Sequence, residues 1–171
     1  MGKGLRVCSL FILFWILQVM ILSKILFVGV VSSMVYVYFI FLLHRDFNRK
    51  LLIVLGFFLG LLVDVFYGTG GVHALITSLI AYLKAPLTLL CFKNTENQED
   101  YSLLNTQMKW EWFLMIFFFF VMHHLLYFTI EYFGYMPVGE ILLRGVSTTL
   151  LDIFFVVIIE NTLRKPHEQR I

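Results

Sequence analysis

The stretch that decides the fold is residues 51–83, LLIVLGFFLGLLVDVFYGTGGVHALITSLIAYL. Two apolar runs flank a turn built from Tyr67, Gly68, Thr69, Gly70 and Gly71. Glycine gives up the most backbone entropy in a helix and takes positive φ readily, so the cluster predicts a tight turn, with a second helix reopening at His73. In the first run Gly56, Gly60 and Asp64 recur every fourth residue and share one helical face, two bare backbone patches ending in a carboxylate. Small residues at that spacing serve packing within a chain or between chains, and the first is the simpler expectation.

Outward from this hairpin the chain stays apolar. Of its 171 residues 60% are hydrophobic and 14% charged, and the mean hydropathy is +0.88, more apolar surface than a soluble domain of this length can bury. The expectation is an all-α integral membrane protein forming a single polytopic domain over residues 1–171. Apolar runs at 7–22, 30–43, 51–66, 72–92, 109–133 and 141–159 predict about six transmembrane helices, since ~20 residues at 1.5 Å each cross a core of ~30 Å. Pro86 is expected to kink the fourth helix or end it early. Lys3 and Arg6 precede the first run as in a signal peptide, but no small-x-small site follows Leu22, so a retained first helix is expected. Arg6 also stands where a myristoylation motif wants Ser or Thr. A net charge of +2, with no basic run interleaved with aromatics, argues against a nucleic-acid partner.

Orientation follows from the basic residues. With alternating helices, Lys3, Arg6, Arg45, Arg49, Lys50, Lys93, Lys109 and the tail residues Arg164, Lys165 and Arg170 share one side, and Lys24 alone lies in the opposite connections. Both termini are therefore expected in the cytoplasm, with cytoplasmic loops at about 44–50 and 93–108, a tail at about 161–171, and the turns at 67–71 and 134–140 outside. Cys8 and Cys91 then lie toward the reducing side, where a disulfide is not expected.

Ionisable residues inside apolar helices are costly, and depth separates helix-end snorkelling from a buried role. Asp64, His73, Glu131 and Arg144 occupy one outer layer. Either Arg144 pairs with Asp64 or Glu131 there, or the four side chains reach the headgroups independently. Asp152 lies deeper, level with Lys84, which makes an inner pair conceivable. If the fourth helix ends near Leu83, Lys84 is instead a cytoplasmic-end anchor, and this is the preferred expectation. Arg144, Thr148 and Asp152 form an i, i+4, i+8 polar stripe turned inward. His123 and His124 are adjacent rather than i, i+4, so polar packing or a hydrogen bond from His124 to Glu131 is expected in place of metal ligation. There is no nucleophile elbow, metal-ligand spacing or phosphate loop, and an enzyme reading would rest on Asp64 and His73 alone. The expectation is no catalysis, no metal and no cofactor.

Asp64-x-x-x-Gly68-Thr69-x-Gly71-Val72-His73-Ala74, preceded by Gly56 to Leu61 and followed by Ala81-Tyr82-Leu83, resembles the central signature of the rod shape-determining MreD family. Leu17-Gln18, His123-His124 with Glu131, and Leu143-Arg144 are also similar to family members, so the resemblance covers nearly the whole chain. One departure is Ser32-Ser33, where relatives often carry a proline, and it bears on where the second helix starts. The resemblance implies a non-enzymatic, multi-pass inner-membrane scaffold of the bacterial cell-elongation machinery, working in cell shape and peptidoglycan synthesis. Its implied partners are the membrane protein MreC, then MreB, RodA and RodA's penicillin-binding transpeptidase, together with membrane lipid. It also implies a fold like that of the substrate-binding components of energy-coupling vitamin transporters, which supplies the alternative function.

Overall fold

The computed structural model describes residues 3–24, 26–27, 31–43, 47–91 and 110–163; residues 44–46, the segment expected as a loop at 93–108, and the tail from 164 lie outside the described residues. Helix α1 (Lys3–Ile16) runs on through a π turn (Leu17–Ile21) and a 3-10 turn (Leu22–Lys24). Strands β1 (Leu26–Phe27) and β2 (Val31–Ser32) pair antiparallel, Leu26 opposite Ser32 and Phe27 opposite Val31. A 3-10 turn (Val35–Val37) leads into the five-residue α2 (Tyr38–Leu42). Four longer helices follow: α3 (Arg49–Tyr67), α4 (Val72–Cys91), α5 (Trp110–Glu131) and α6 (Val138–Leu163). Gly4–Lys24, Arg49–Tyr67, Phe113–Glu131 and Val138–Thr162 are long and apolar enough to cross a membrane, and Val72–Thr88 is a shorter apolar helix. The architecture is that of an all-α membrane protein.

The α3–α4 hairpin follows from its residues. The Asn48 side chain accepts from the backbone N–H groups of Lys50 and Leu51, capping α3. Gly68, at φ 71°, ends the helix with its N–H on the Asp64 carbonyl at 2.7 Å. A Cβ at Gly60 would lie 2.6 Å from both Ala74 Cα and the His73 carbonyl oxygen, and one at Gly56 3.2 Å from the Thr77 carbonyl oxygen and 3.3 Å from Ala81 Cβ. The small-residue face of α3 is thus spent inside the chain, against α4.

Pro86 does not end α4, which continues to Cys91. Proline lacks the N–H that would bond the carbonyl four residues earlier. That carbonyl belongs to Tyr82, and it accepts instead from the Arg49 guanidinium at 3.0 Å, while the guanidinium stands 4.3 Å over the Tyr82 ring. The helix survives because α3 supplies the missing donor. Lys84 consequently lies within α4, about two turns before Cys91, and is not a helix-end anchor.

The expected second spanning helix over 30–43 is not one helix, a correction to the six-helix expectation. β2, the 3-10 turn and α2 divide it, and Val35 through Ile40 are wholly buried. Phe39 meets Phe11 of α1, Ile40 lies against Gly56 of α3, Phe41 packs on Phe119 of α5, and α4 and α6 close the remaining sides. Broken backbone at membrane depth is tolerated only where protein surrounds it and satisfies its polar groups.

Cross-links set the relative direction of the helices. Gln18 reaches the Tyr67 hydroxyl and His73 stacks on Tyr127, whereas Arg49 reaches Tyr82 and Thr88 meets Met115. Lys24, the 68–71 turn and the 132–137 turn therefore share one end of the bundle, and Lys3, Arg49 and Cys91 the other.

Candidate functional site

A chain of buried polar side chains fastens the interior segment to the helices around it. It begins at Asp64. One carboxylate oxygen accepts from the Thr69 hydroxyl at 2.5 Å and the His73 N–H at 3.0 Å, and the other from the Ala74 N–H at 2.8 Å. The first N–H groups of a helix have no partner within it, so Asp64, from the end of α3, caps α4 with a charge that suits the helix dipole. Gly68, Gly70 and Gly71, all at positive φ, let the intervening chain turn tightly enough.

His73 carries the network inward. Its Nδ1 lies 2.8 Å from the Tyr36 hydroxyl, which also stands 3.2 Å from Thr77 Oγ1 and 3.3 Å from His123 Nε2. The His73 ring stacks on Tyr127 with centroids 4.5 Å apart. Tyr36, on the interior segment, thus ties α4 to α5. The same residue's backbone N–H points to Gln18 Oε1 at 3.4 Å, while Gln18 Nε2 donates to the Ser33 carbonyl at 2.7 Å and the Tyr67 hydroxyl at 3.0 Å. The π turn in α1 carries Gln18 and Val19 to the buried side.

Asp152 of α6 holds the beginning of the segment. It accepts from the Ser33 hydroxyl at 2.5 Å and from the Met34 N–H at 2.9 and 3.1 Å. His124 Nε2 lies 3.0 Å from the same carboxylate, a close contact outside hydrogen-bond geometry, and its Nδ1 is 2.9 Å from Thr149 Oγ1. At the far end the buried Lys84 donates to the Ile40 and Leu43 carbonyls at 2.7 and 2.6 Å, and the Tyr38 hydroxyl donates to Glu160.

The structure divides the residues of the expected outer layer and places the site residues in separate groups. Gly56 and Gly60 face α4; Asp64, Gly68, Gly71, His73 and Ala74 form the turn; His124 and Asp152 meet at the interior segment. The expected pairing of Arg144 with Asp64 or Glu131 is not formed. Asp64 is committed to α4, and Arg144 pairs with Glu140 one turn away at 2.8 Å, 5.8 Å from the Tyr132 ring. Glu131 is half-buried at the end of α5, outside the network. Of the two expectations for His124, the polar packing is formed, against Thr149 and Asp152 of α6, and the bond to Glu131 is not, since seven residues separate the pair by ~10 Å along the axis. Asp152 and Lys84 do not pair with each other.

Ser33, Tyr36, Thr77 and Thr149 were not among the expected site residues. Gln18, a lone amide in an apolar run, was the available sequence signal for this network. Among the described residues no group of three or more His, Cys, Asp or Glu is placed to hold a metal ion. No protein-family model, curated protein or solved structure matches the chain.

Proposed function

We propose that the chain is a non-enzymatic scaffold of the bacterial cell-elongation complex, seated in the cytoplasmic membrane with both termini in the cytoplasm. In this reading its helical body docks the transmembrane helix of MreC. It thereby helps to position MreB, RodA and RodA's penicillin-binding transpeptidase for peptidoglycan synthesis and cell shape. The supporting observation is how the residues that carry the MreD resemblance are used. Asp64 takes hydrogen bonds from Thr69, His73 and Ala74, and Gly60 lies against Ala74, so these residues brace a hairpin. A docking platform works by stiffness, because a pre-ordered surface loses little entropy when a partner helix settles on it.

Purification of the tagged protein from native membranes in mild detergent tests the proposal. MreC recovered in stoichiometric amount, with or without the RodA pair, is the expected result. Recovery of a coupling membrane subunit with paired ATPases would overturn it in favour of a substrate-binding component of a vitamin transporter.

A further inference from the structure

A groove of about 620 Å³ opens between the end of α1 and the end of α3. Trp15, Val19, Met20, Phe66 and Tyr67 line it, and Lys24 stands at its end. That volume falls within the usual range of ligand sites, and the lining is mainly apolar and aromatic. Trp15 and Phe66 meet edge to face with centroids 5.8 Å apart, and the π turn Leu17–Ile21 shapes one wall. Such turns interrupt helices at functional sites more often than elsewhere.

Two features identify the occupant. From Trp15 to Lys24 is nine residues, roughly 13 Å at helical rise, close to half of a ~30 Å hydrocarbon core. The groove therefore has the depth of one leaflet, whereas a partner transmembrane helix needs a seam across both. The polar groups are unequal as well. The Ser23 hydroxyl donates to the Val19 carbonyl and the Tyr67 hydroxyl is held by Gln18, so the exposed Lys24 ammonium is the charge presented at the mouth. Lys24 is also the one Lys or Arg in the connections at its end of the bundle. A cation there calls for an anion at headgroup level.

We infer that this groove binds an anionic phospholipid, one acyl chain lying along Trp15, Met20 and Phe66 and the phosphate-bearing headgroup on Lys24. The inference rests on the membrane character of the chain and is independent of the scaffold reading.

Trp15 reports occupancy directly once Trp110 and Trp112 are replaced by Phe. The full chain carrying those two changes is reconstituted in phosphatidylcholine vesicles, and brominated-chain phosphatidylglycerol or brominated-chain phosphatidylcholine is titrated in. The expected result is half-maximal Trp15 quenching at an about fivefold lower mole fraction of the anionic lipid, the effect of one basic residue at the surface, with the preference abolished by Lys24→Gln. Lys24 is exposed, so that variant is expected to keep the elution and thermal unfolding of its parent. Equal quenching by the two lipids, or a preference that survives Lys24→Gln, overturns the inference. Absence of quenching by either lipid also overturns it and assigns the groove to protein.

Discussion

Asp152 and Lys84 grip opposite ends of one buried segment. The carboxylate accepts the Met34 N–H and the Ser33 hydroxyl where the segment starts, and the ammonium donates to the Ile40 and Leu43 carbonyls where it ends. The signs match the segment's own polarity, anion toward its free N–H groups and cation toward its free carbonyls. A five-residue helix cannot satisfy those groups itself, so the two charges make its burial possible.

Removing either grip exposes that dependence. Asp152→Leu is expected to lower unfolding stability by about 3 kcal/mol, because it leaves buried donors unpaired. Asp152→Asn, which keeps an acceptor oxygen, should lose about half as much. Denaturation in detergent measures both, and an Asp152→Leu midpoint equal to wild type would show that the segment is held by other contacts.

Gly60 and Gly56 differ in what a methyl group would strike. Gly60→Ala drives a Cβ to 2.6 Å from the backbone of α4, which cannot yield without separating the helices, whereas Gly56→Ala meets its neighbours at 3.2 Å or more. Expected losses are about 3 kcal/mol for Gly60→Ala and about 1 kcal/mol for Gly56→Ala. Thermal unfolding of the two variants side by side checks the order.

The turn separates Asp64 from Arg144. Asp64→Ala strips the cap from α4 and should cost about 2 kcal/mol. Arg144→Leu breaks a partly exposed i, i+4 pair and should cost less than about 1 kcal/mol. Similar large losses in both variants, measured by thermal unfolding, would show that the two residues act as one unit after all.

Cysteine labelling checks the orientation. In a Cys8→Ser, Cys91→Ser background, Tyr135→Cys is expected to react with an impermeant maleimide in intact cells. Lys50→Cys should react only after permeabilisation. Tyr135 and Lys50 are both exposed, at opposite ends of the bundle. The reverse pattern would invert the proposed topology.

The hairpin over 51–83 was legible because its determinants are local. Gly68 must take positive φ, Gly56 and Gly60 share a helical face, and Asp64 lies just across the turn from the residues it caps. Residues 30–43 carry no such local signal, because an apolar run of that length has the same composition whether it spans a bilayer or hides inside a bundle. The difference lies in Asp152 and Lys84, far away in the chain, and position along a helix offers for Lys84 only a helix-end anchor or a pair with Asp152, neither of which is its role. The partners of Arg144 and His124 escape the sequence for the same reason: a shared layer says nothing about the direction in which a side chain points.

The sequence by itself determined that this is a helical membrane protein with a glycine-rich turn between two close-packed helices, since hydropathy and backbone permissiveness are properties of neighbouring residues. Only the tertiary structure decided that an apolar stretch becomes a clamped interior segment. Its buried peptide groups that lack partners within the segment need them from α1, α4 and α6, and those partners exist only once the helices have assembled around it.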